Sequence, residues 1–306
     1  MKYHKPSLTF DAQADLIIAR GLQADRELLI TRLRAVNYYR LSAYWYTFRD
    51  MEAGTDKLLP GTTLETVWRR YVFDRHLRLL VMDAIERVEV SLRTEVANRF
   101  ALEAGPFGHL DRANLPGLSA DDHRFLLERI HTEQRKSRED FVRHYHEKYT
   151  SETELPLWMA VELMTFGTMY TLFRGLHSRM KKDVARTYDL HAPVLASWLR
   201  TLNLIRNLCA HHARLWNREI DTRPLLPECK HDPNWHLPIP IPVDRIFGVL
   251  SVLSYLLQRV APQSAWKQRA KALLATYPDV PLYFMGFPAD WEESPIWKEA
   301  SKDETP

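Results

Sequence analysis

The stretch that decides the fold class is LETVWRRYVFDRHLRLLVMDAIERVEVSLRTEVANRFALEA, residues 64–104. Opposite charges recur four residues apart along it, in the pairs Asp74/Arg78, Asp83/Arg87, Glu89/Arg93 and Glu95/Arg99, and this spacing brings side chains together on a helix. An apolar stripe runs between the pairs: Val67, Tyr71, Leu77, Leu80, Ile85, Val88, Leu92 and Val96. The pattern predicts one helix of about forty residues and about 60 Å, long enough to contain a break or a kink.

The rest of the chain shows helical periodicity and no alternating strand pattern worth assigning, which predicts an all-α protein. Further helices are predicted over 10–20 and 25–49, after Ser119, from Pro156 to about 177, from Pro193 to about 217, and over 243–260 and 263–276. Prolines concentrated between 224 and 242 predict an extended connection.

Composition places the chain among ordinary globular proteins, since 45% of its 306 residues are hydrophobic and 26% are charged. A net charge of +3 marks a nucleic-acid binder only if the charge is concentrated on one face. Two cysteines, Cys209 and Cys229, argue against a disulfide scaffold and fit a reducing cytosol. The first residues lack the apolar core of a signal peptide, and the most apolar run, 246–257, is too short to cross a bilayer. We therefore expect a cytoplasmic protein without a membrane partner.

The segment WLRTLNLIRNLCAHHARLWNR, residues 198–218, carries the most informative polar pattern. On a helix, its polar residues would share an arc of about 100°: Arg200, Asn203, Asn207, His211, Arg214 and Arg218. The opposite side would carry Trp198, Leu202, Ile205, Cys209, His212 and Trp216, with His212 as a core histidine. Arg206 flanks the polar stripe, and its long side chain can reach toward His211. A cationic stripe without carboxylates predicts an anionic ligand, and phosphate is the obvious one.

Histidine and arginine in this pattern predict RNA cleavage. Histidine moves protons near neutral pH, and arginine binds phosphate and stabilises the charge that grows in the transition state. RNA supplies its own nucleophile, the 2′-hydroxyl, so that neither a metal nor a cofactor is required. The expected products are a 2′,3′-cyclic phosphate and a 5′-hydroxyl. By itself, Arg-x-x-x-x-His is a permissive pattern that many helices contain by chance.

The same segment resembles the Arg-polar-x-x-x-His motif of HEPN ribonucleases, and RNLCAHHARLWNR (206–218) resembles the signature of Abi-like abortive-infection proteins of the AbiD/AbiF type. Six further blocks match in order: KPSLTFDAQ (5–13), RGL (20–22), NYYRLSAYW (37–45), YVFDRHLRLLVMDAIERVEVSLRTE (71–95), DFVRHYHEKY (140–149) and LPLWMAVELMTFG (155–167). The resemblance covers about residues 5 to 225.

The resemblance implies a HEPN-like helical bundle over 61–225, with an N-terminal helical segment over 1–60 and a C-terminal helical extension and tail over 226–306. It implies an endoribonuclease that arrests phage-infected cells, or a toxin, in which Arg206, Asn207 and His211 occupy the catalytic motif positions. It also implies a homodimer, in which two motif copies face each other across a cleft. A small structured RNA that restrains the protein as an antitoxin is a further partner that the family allows.

Other cationic residues are candidates for RNA contact. Arg200, Arg214 and Arg218 would position RNA along the motif helix, while Arg75 and Arg78 would form a second wall of the cleft. A buried ion-pair network is the commoner role for the latter two. Glu86 or Glu89 would orient Arg206 or His211, or serve the fold alone.

Three remaining clusters each have a structural alternative. The block Asn37, Tyr38, Tyr39, Arg40, Tyr44, Trp45 and Tyr46 would stack on unpaired bases or pack a helix onto the core. The basic run Arg135, Lys136, Arg138, Arg143, His144, His146 and Lys148 would guide RNA or form a solvated face. Cys229, His231 and His236 fall short of a structural zinc site. No motif of an NTPase, a serine-hydrolase elbow or a zincin occurs.

Two other functions fit the same stripe. A non-catalytic RNA-binding module, or an RNA-restrained toxin component, would bind a structured RNA without cutting it. A protein-interaction subunit of a defence complex would show no salt-dependent RNA affinity.

Overall fold

The described part of the chain folds into helices and their connections, which confirms the predicted all-α class. The computed structural model describes residues 2, 4, 6–51 and 56–298. Among these residues no β-strand forms, and the isolated bridges join Gln23 to Thr63 and Arg49 to Leu58. The α-helices are α1 (Phe10–Ala19), α2 (Arg26–Val36), α3 (Tyr38–Trp45), α4 (Leu64–Ala104), α5 (Ala120–Lys136), α6 (Asp140–Lys148), α7 (Leu157–Leu163), α8 (Phe166–Gly175), α9 (Ser178–Thr187), α10 (Ala192–Ala210), α11 (Ile246–Val260) and α12 (Trp266–Thr276).

Helix α4 is the central element and runs unbroken over 41 residues. At its start the Thr63 hydroxyl accepts a hydrogen bond from the Thr66 amide at 3.1 Å, and at its end Gly105 takes a φ of +77°. Its buried side chains pack against α3 and α7 to α12. All four predicted ion pairs form: Asp74–Arg78, Asp83–Arg87, Glu89–Arg93 and Glu95–Arg99. The prediction of one long helix is confirmed.

Several other predicted helices are divided or shortened. Asn37 takes a φ of +64° and its side chain accepts a hydrogen bond from the Tyr39 amide at 2.9 Å, so the predicted helix 25–49 becomes α2 and α3. Thr165 divides the predicted helix after Pro156, because its hydroxyl caps α8 through the Thr168 amide at 3.2 Å. Such local side-chain bonds compete with helix continuation. Helix α10 ends at Ala210, well before the predicted end at about 217.

The three predicted segments contribute to one hydrophobic core. Buried residues from α1 to α12 belong to a single cluster, and the Trp266 indole donates a hydrogen bond to the Leu80 carbonyl at 2.8 Å. The division into 1–60, 61–225 and 226–306 stays a prediction; its residues 1, 3, 5, 52–55 and 299–306 lie outside the described ones. No helix in the described ranges combines the length and the apolar character of a bilayer span.

Candidate active site

Helix α10 has one buried side and one side that reaches the surface. Trp198, Leu202, Ile205 and Cys209 lie on the buried side, as the sequence predicts. The helix packs against α4, α8, α9 and α11. The Trp198 indole donates a hydrogen bond to the Leu225 carbonyl at 2.6 Å, which ties the following connection to the helix.

The opposite side carries the polar candidates. Arg200, Asn207 and His211 are exposed and Arg206 is half-buried. Among the described residues, none of these four side chains has a hydrogen-bond, ion-pair or ring partner. Donors that are already near the surface and unpaired can bind an anion without first breaking an internal contact.

Asn203 lies further back on the same helix, at the contact with α8. A Cβ atom on Gly167 of α8 would lie 3.3 Å from the Asn203 Oδ1 atom. Glycine at this position therefore lets the two helices approach closely, and Asn203 is half-buried beside that contact.

The helix end places His211 at the surface. The His211 amide donates to the Asn207 carbonyl at 3.0 Å, and the His212 and Ala213 amides donate to the Cys209 and Leu208 carbonyls at 3.0 and 2.9 Å. These bonds satisfy the last carbonyls of the helix. His211 lies one turn beyond Asn207, so the two candidates share a side of the helix end.

His212 does not occupy the core, and the prediction of a core histidine is wrong. It takes a φ of +56° at the point where the chain leaves the helix, and its side chain is exposed. The physical reason is the early end of α10: beyond Ala210 the helical periodicity no longer determines which way a side chain faces.

The loop after the motif, residues 212–218, is anchored by Asp74 of α4. This carboxylate is fully buried and accepts hydrogen bonds from the Leu215 amide at 3.0 Å and the Trp216 amide at 2.6 Å. It also accepts a 2.5 Å hydrogen bond from the Tyr44 hydroxyl and pairs with Arg78. One carboxylate thus joins α3, α4 and the segment that follows the candidate residues.

Burial dominates the electrostatics of this cluster. It raises the pKa of the Asp74 carboxyl, while Arg78, Tyr44 and the two amides oppose that rise. It also raises the pKa of the Tyr44 hydroxyl, with the neighbouring Asp74 charge acting in the same direction. Because all four partners of Asp74 donate hydrogen bonds, removal of the carboxylate would leave several buried donors unpaired.

Arg78 is a structural residue in this arrangement, since it is buried and pairs with Asp74. Its contacts fit the ion-pair interpretation rather than the second wall of a cleft. Arg75, the residue after Asp74 on α4, is exposed, and its side chain has no partner among the described residues.

Arg214 and Arg218 do not share the face of α10, which corrects the predicted stripe. Both follow the end of the helix. The half-buried Arg214 guanidinium donates to the Ala43 carbonyl at 2.7 Å, and Arg218 donates to the Arg214 carbonyl at 2.8 Å. Burial lowers the pKa of Arg214. An RNA contact by either residue stays a prediction, and their observed bonds hold the loop.

Two further arginines support the loop. Arg40 of α3 donates a hydrogen bond to the His212 carbonyl. Arg70 of α4 is buried, its guanidinium lies 5.1 Å from the Trp216 ring centroid, and it donates to the Thr47 hydroxyl at 2.6 Å. Burial lowers the pKa of Arg70 to about 10.

The sequence pattern places Arg40 only in the aromatic block and does not single out Arg70. It also did not show that Asp74 binds the 212–218 loop. The intrahelical pair with Arg78 was visible, whereas the Trp216 amide lies 142 positions away in the chain.

The acidic candidates do not approach the motif. Glu89 pairs with Arg93, which in turn donates to the Met164 carbonyl at 2.7 Å. Glu86 is exposed, and none of its contacts among the described residues reaches Arg206 or His211.

The two cysteines and the histidines near Cys229 lie in different surroundings. Burial raises the pKa of the Cys209 thiol to about 12, which keeps it protonated on the buried side of α10. Cys229 is exposed, and His236 bonds to the Pro227 carbonyl at 2.7 Å. No group of histidine, cysteine and carboxylate side chains in the described ranges is arranged to hold a metal ion.

The comparison with protein families gives one match, to the family described as Abi-like protein, over residues 31–217. The match spans more than half of the chain and runs from within α2 through α10 and the candidate site. Neither the curated proteins nor the solved structures contain a match.

Proposed function

The chain belongs to the Abi-like protein family, and we propose that it is a metal-independent endoribonuclease of the HEPN type. Family membership indicates a role in abortive infection, the defence in which an infected cell stops phage multiplication. The assignment to the AbiD/AbiF type, the HEPN-like bundle and the ribonuclease activity are parts of the proposal.

One observation carries the proposal. Arg206 and Asn207 lie in the last turns of α10 and His211 is its C-cap, and their side chains have no partners among the described residues. By contrast, Arg78 and Arg214 are engaged in contacts that hold the fold. Polar side chains that match a catalytic motif and have no structural task are candidates for chemistry.

In the proposed reaction, His211 accepts the proton of the RNA 2′-hydroxyl as that oxygen attacks the adjacent phosphorus. The bond to the 5′-oxygen breaks, and this oxygen takes up a proton equivalent to the one that His211 accepted. Arg206 stabilises the extra negative charge on the phosphoryl group, and Asn207 donates a hydrogen bond to it. The products are a 2′,3′-cyclic phosphate and a 5′-hydroxyl.

The exposed side chains of Asn207 and His211, with Arg206 half-buried beside them, also suit a two-fold assembly. In our proposal two copies of the chain bring their motifs together across a cleft that holds the RNA, and a structured RNA restrains the protein until infection. The protein then acts in the cytoplasm.

The test is cleavage of total RNA by RNA-free protein in excess EDTA, with Arg206→Ala and His211→Ala beside the wild type. Arg112→Ala is a matched control, because it removes an exposed arginine from the connection between α4 and α5. We expect the first two variants to lose cleavage and the control to retain it. Fragments with 5′-hydroxyl ends would be phosphorylated by a polynucleotide kinase and ATP without prior phosphatase treatment.

Wild-type rates of cleavage by His211→Ala would overturn the assignment of the site. RNA binding by the wild type without any cleavage would instead favour the non-catalytic module, and the RNA that copurifies with the protein would then identify its partner.

A further inference from the structure

A pocket lies between α3 and the N-terminal part of the chain. It encloses about 750 Å³, within the range of cavities that take small molecules and nucleotides. Helix α1, helix α3 and the chain around Arg49 and Leu58 form its walls. The family assignment and the proposed catalytic chemistry give this pocket no role.

Aromatic rings form one wall of the pocket. Tyr38 makes edge contacts with Trp45, at 5.2 Å between ring centroids, and with Tyr39, at 6.2 Å. Tyr39 is 76% exposed and Tyr46, which also lines the pocket, is 52% exposed. Rings that are held by their neighbours and open to solvent are suited to stacking with a planar ligand.

Polar groups complete the pocket. The Oε1 atom of Gln13 is buried and has no hydrogen-bond partner within the described ranges, although Nε2 of the same side chain donates to the Leu8 carbonyl at 3.0 Å. An unpaired buried acceptor is costly unless a ligand donor reaches it. The exocyclic amine of a nucleobase is such a donor.

Counting the described residues, the rim of the pocket carries two guanidinium groups and one carboxylate. Arg20 donates to the Tyr38 hydroxyl at 3.0 Å and pairs with Asp56 at 2.9 Å. Arg49 also pairs with Asp56, and its guanidinium lies 5.3 Å from the Tyr46 ring centroid. One carboxylate shared by two arginines leaves a net positive charge, which suits a phosphate attached to a stacked base.

We propose that this pocket binds an unpaired nucleotide, with its base against Tyr39 and Tyr46 and its phosphate near Arg20 and Arg49. The nucleotide is either part of a single-stranded RNA or free in solution. In the RNA case the inference rests on the proposed function, since it places part of the substrate or of the restraining RNA.

The opposite side of α3 connects this pocket to the candidate active site. Arg40 donates to the His212 carbonyl, and the Ala43 carbonyl accepts from Arg214 at 2.7 Å. A nucleotide held on α3 therefore lies on the helix that contacts the loop directly after His211. A bound strand would be positioned by the same element that positions the motif.

The test measures binding of a short 2′-O-methyl oligoribonucleotide to the full-length protein, which separates it from cleavage because the probe lacks the nucleophile. We expect Tyr39→Ala combined with Tyr46→Ala to weaken binding about fivefold to a hundredfold through loss of stacking. Tyr39→Phe combined with Tyr46→Phe keeps the rings and should restore affinity. Phe125→Ala is the matched control, since Phe125 is also 52% exposed and lies on α5.

A second arm identifies the source of the nucleotide. A version of the probe with 5-iodouridine should cross-link to the α3 peptide of the wild type if an RNA base occupies the pocket. Binding of AMP or GMP that the double alanine variant loses would instead identify a free nucleotide. The proposal would be overturned if the wild type and the double alanine variant had equal affinity for the oligoribonucleotide, for AMP and for GMP. This outcome leaves the cleavage test untouched, just as a failed cleavage test leaves this one untouched.

Discussion

The two halves of the segment 206–218 use the same kinds of side chain for different purposes. In the first half, the side chains of Arg206, Asn207 and His211 have no partners among the described residues. In the second half, the Arg214 guanidinium and the Leu215 and Trp216 amides all bond to other helices. The comparison teaches that a basic motif is divided by tertiary contacts into groups that can meet a ligand and groups that hold those in place.

The largest expected effect concerns the anchor of the second half. Asp74→Asn should lower the free energy of unfolding by about 3–5 kcal/mol, because it leaves Arg78 buried without its counter-charge. Urea unfolding measures the change. Glu147→Gln is the control, since its pair with Arg143 is exposed and should contribute less than about 1 kcal/mol. Similar losses for both variants would show that Asp74 is not the anchor.

A second effect separates the pH dependence of the fold from that of cleavage. Burial lowers the pKa of His109 from 6.5 to about 4, with smaller contributions from His131 and His123. Between pH 6.5 and about 4, His109 is therefore protonated in the unfolded chain and mostly neutral in the folded chain. The free energy of unfolding is retained above pH 6.5 and falls as the pH falls toward 4.

Because of His109, the free energy of unfolding should fall by about 3 kcal/mol between about pH 7 and pH 4. Urea unfolding of the wild type and of His109→Gln at both pH values measures the difference in slope. If both proteins lose stability equally, His109 is not responsible. The pH profile of cleavage should be recorded above about pH 6.5, where this contribution is constant.

The smallest expected effect concerns exposed arginines outside the motif. Arg200→Ala and Arg75→Ala should each weaken RNA binding severalfold and reduce the salt slope of the affinity by about 1, while leaving stability unchanged. Both residues are exposed and have no partners among the described residues. Unchanged salt slopes would remove these two residues from the RNA path and confine binding to the motif and the α3 pocket.

The sequence predicts the helical class, the unbroken α4 and its four ion pairs, because these depend on contacts within about one helical turn. It also predicts the buried side of α10 from Trp198 to Cys209. It does not predict the breaks at Asn37 and Thr165, where local caps overcome the helical periodicity.

The site shows the same limit. Arg206, Asn207 and His211 are visible in the sequence as a motif, and their joint role in a site stays a prediction; in the structure they lie at the C-terminal end of α10. The path of the chain after Ala210 and the role of Arg214 are not visible, because they depend on Asp74 and Ala43, which are distant in the chain. Local patterns cannot report such long-range partners.

The most direct test of this division compares His211→Ala with Arg214→Ala, measuring RNA cleavage in EDTA and melting temperature on the same preparations. His211→Ala should reduce cleavage by about 10²- to 10⁴-fold and leave the melting temperature unchanged. Arg214→Ala should lower the melting temperature, through the loss of a charge-assisted hydrogen bond worth about 1.5–3 kcal/mol, and should still cleave RNA well below it. Full cleavage by His211→Ala, or loss of cleavage by a fully stable Arg214→Ala, would contradict the account.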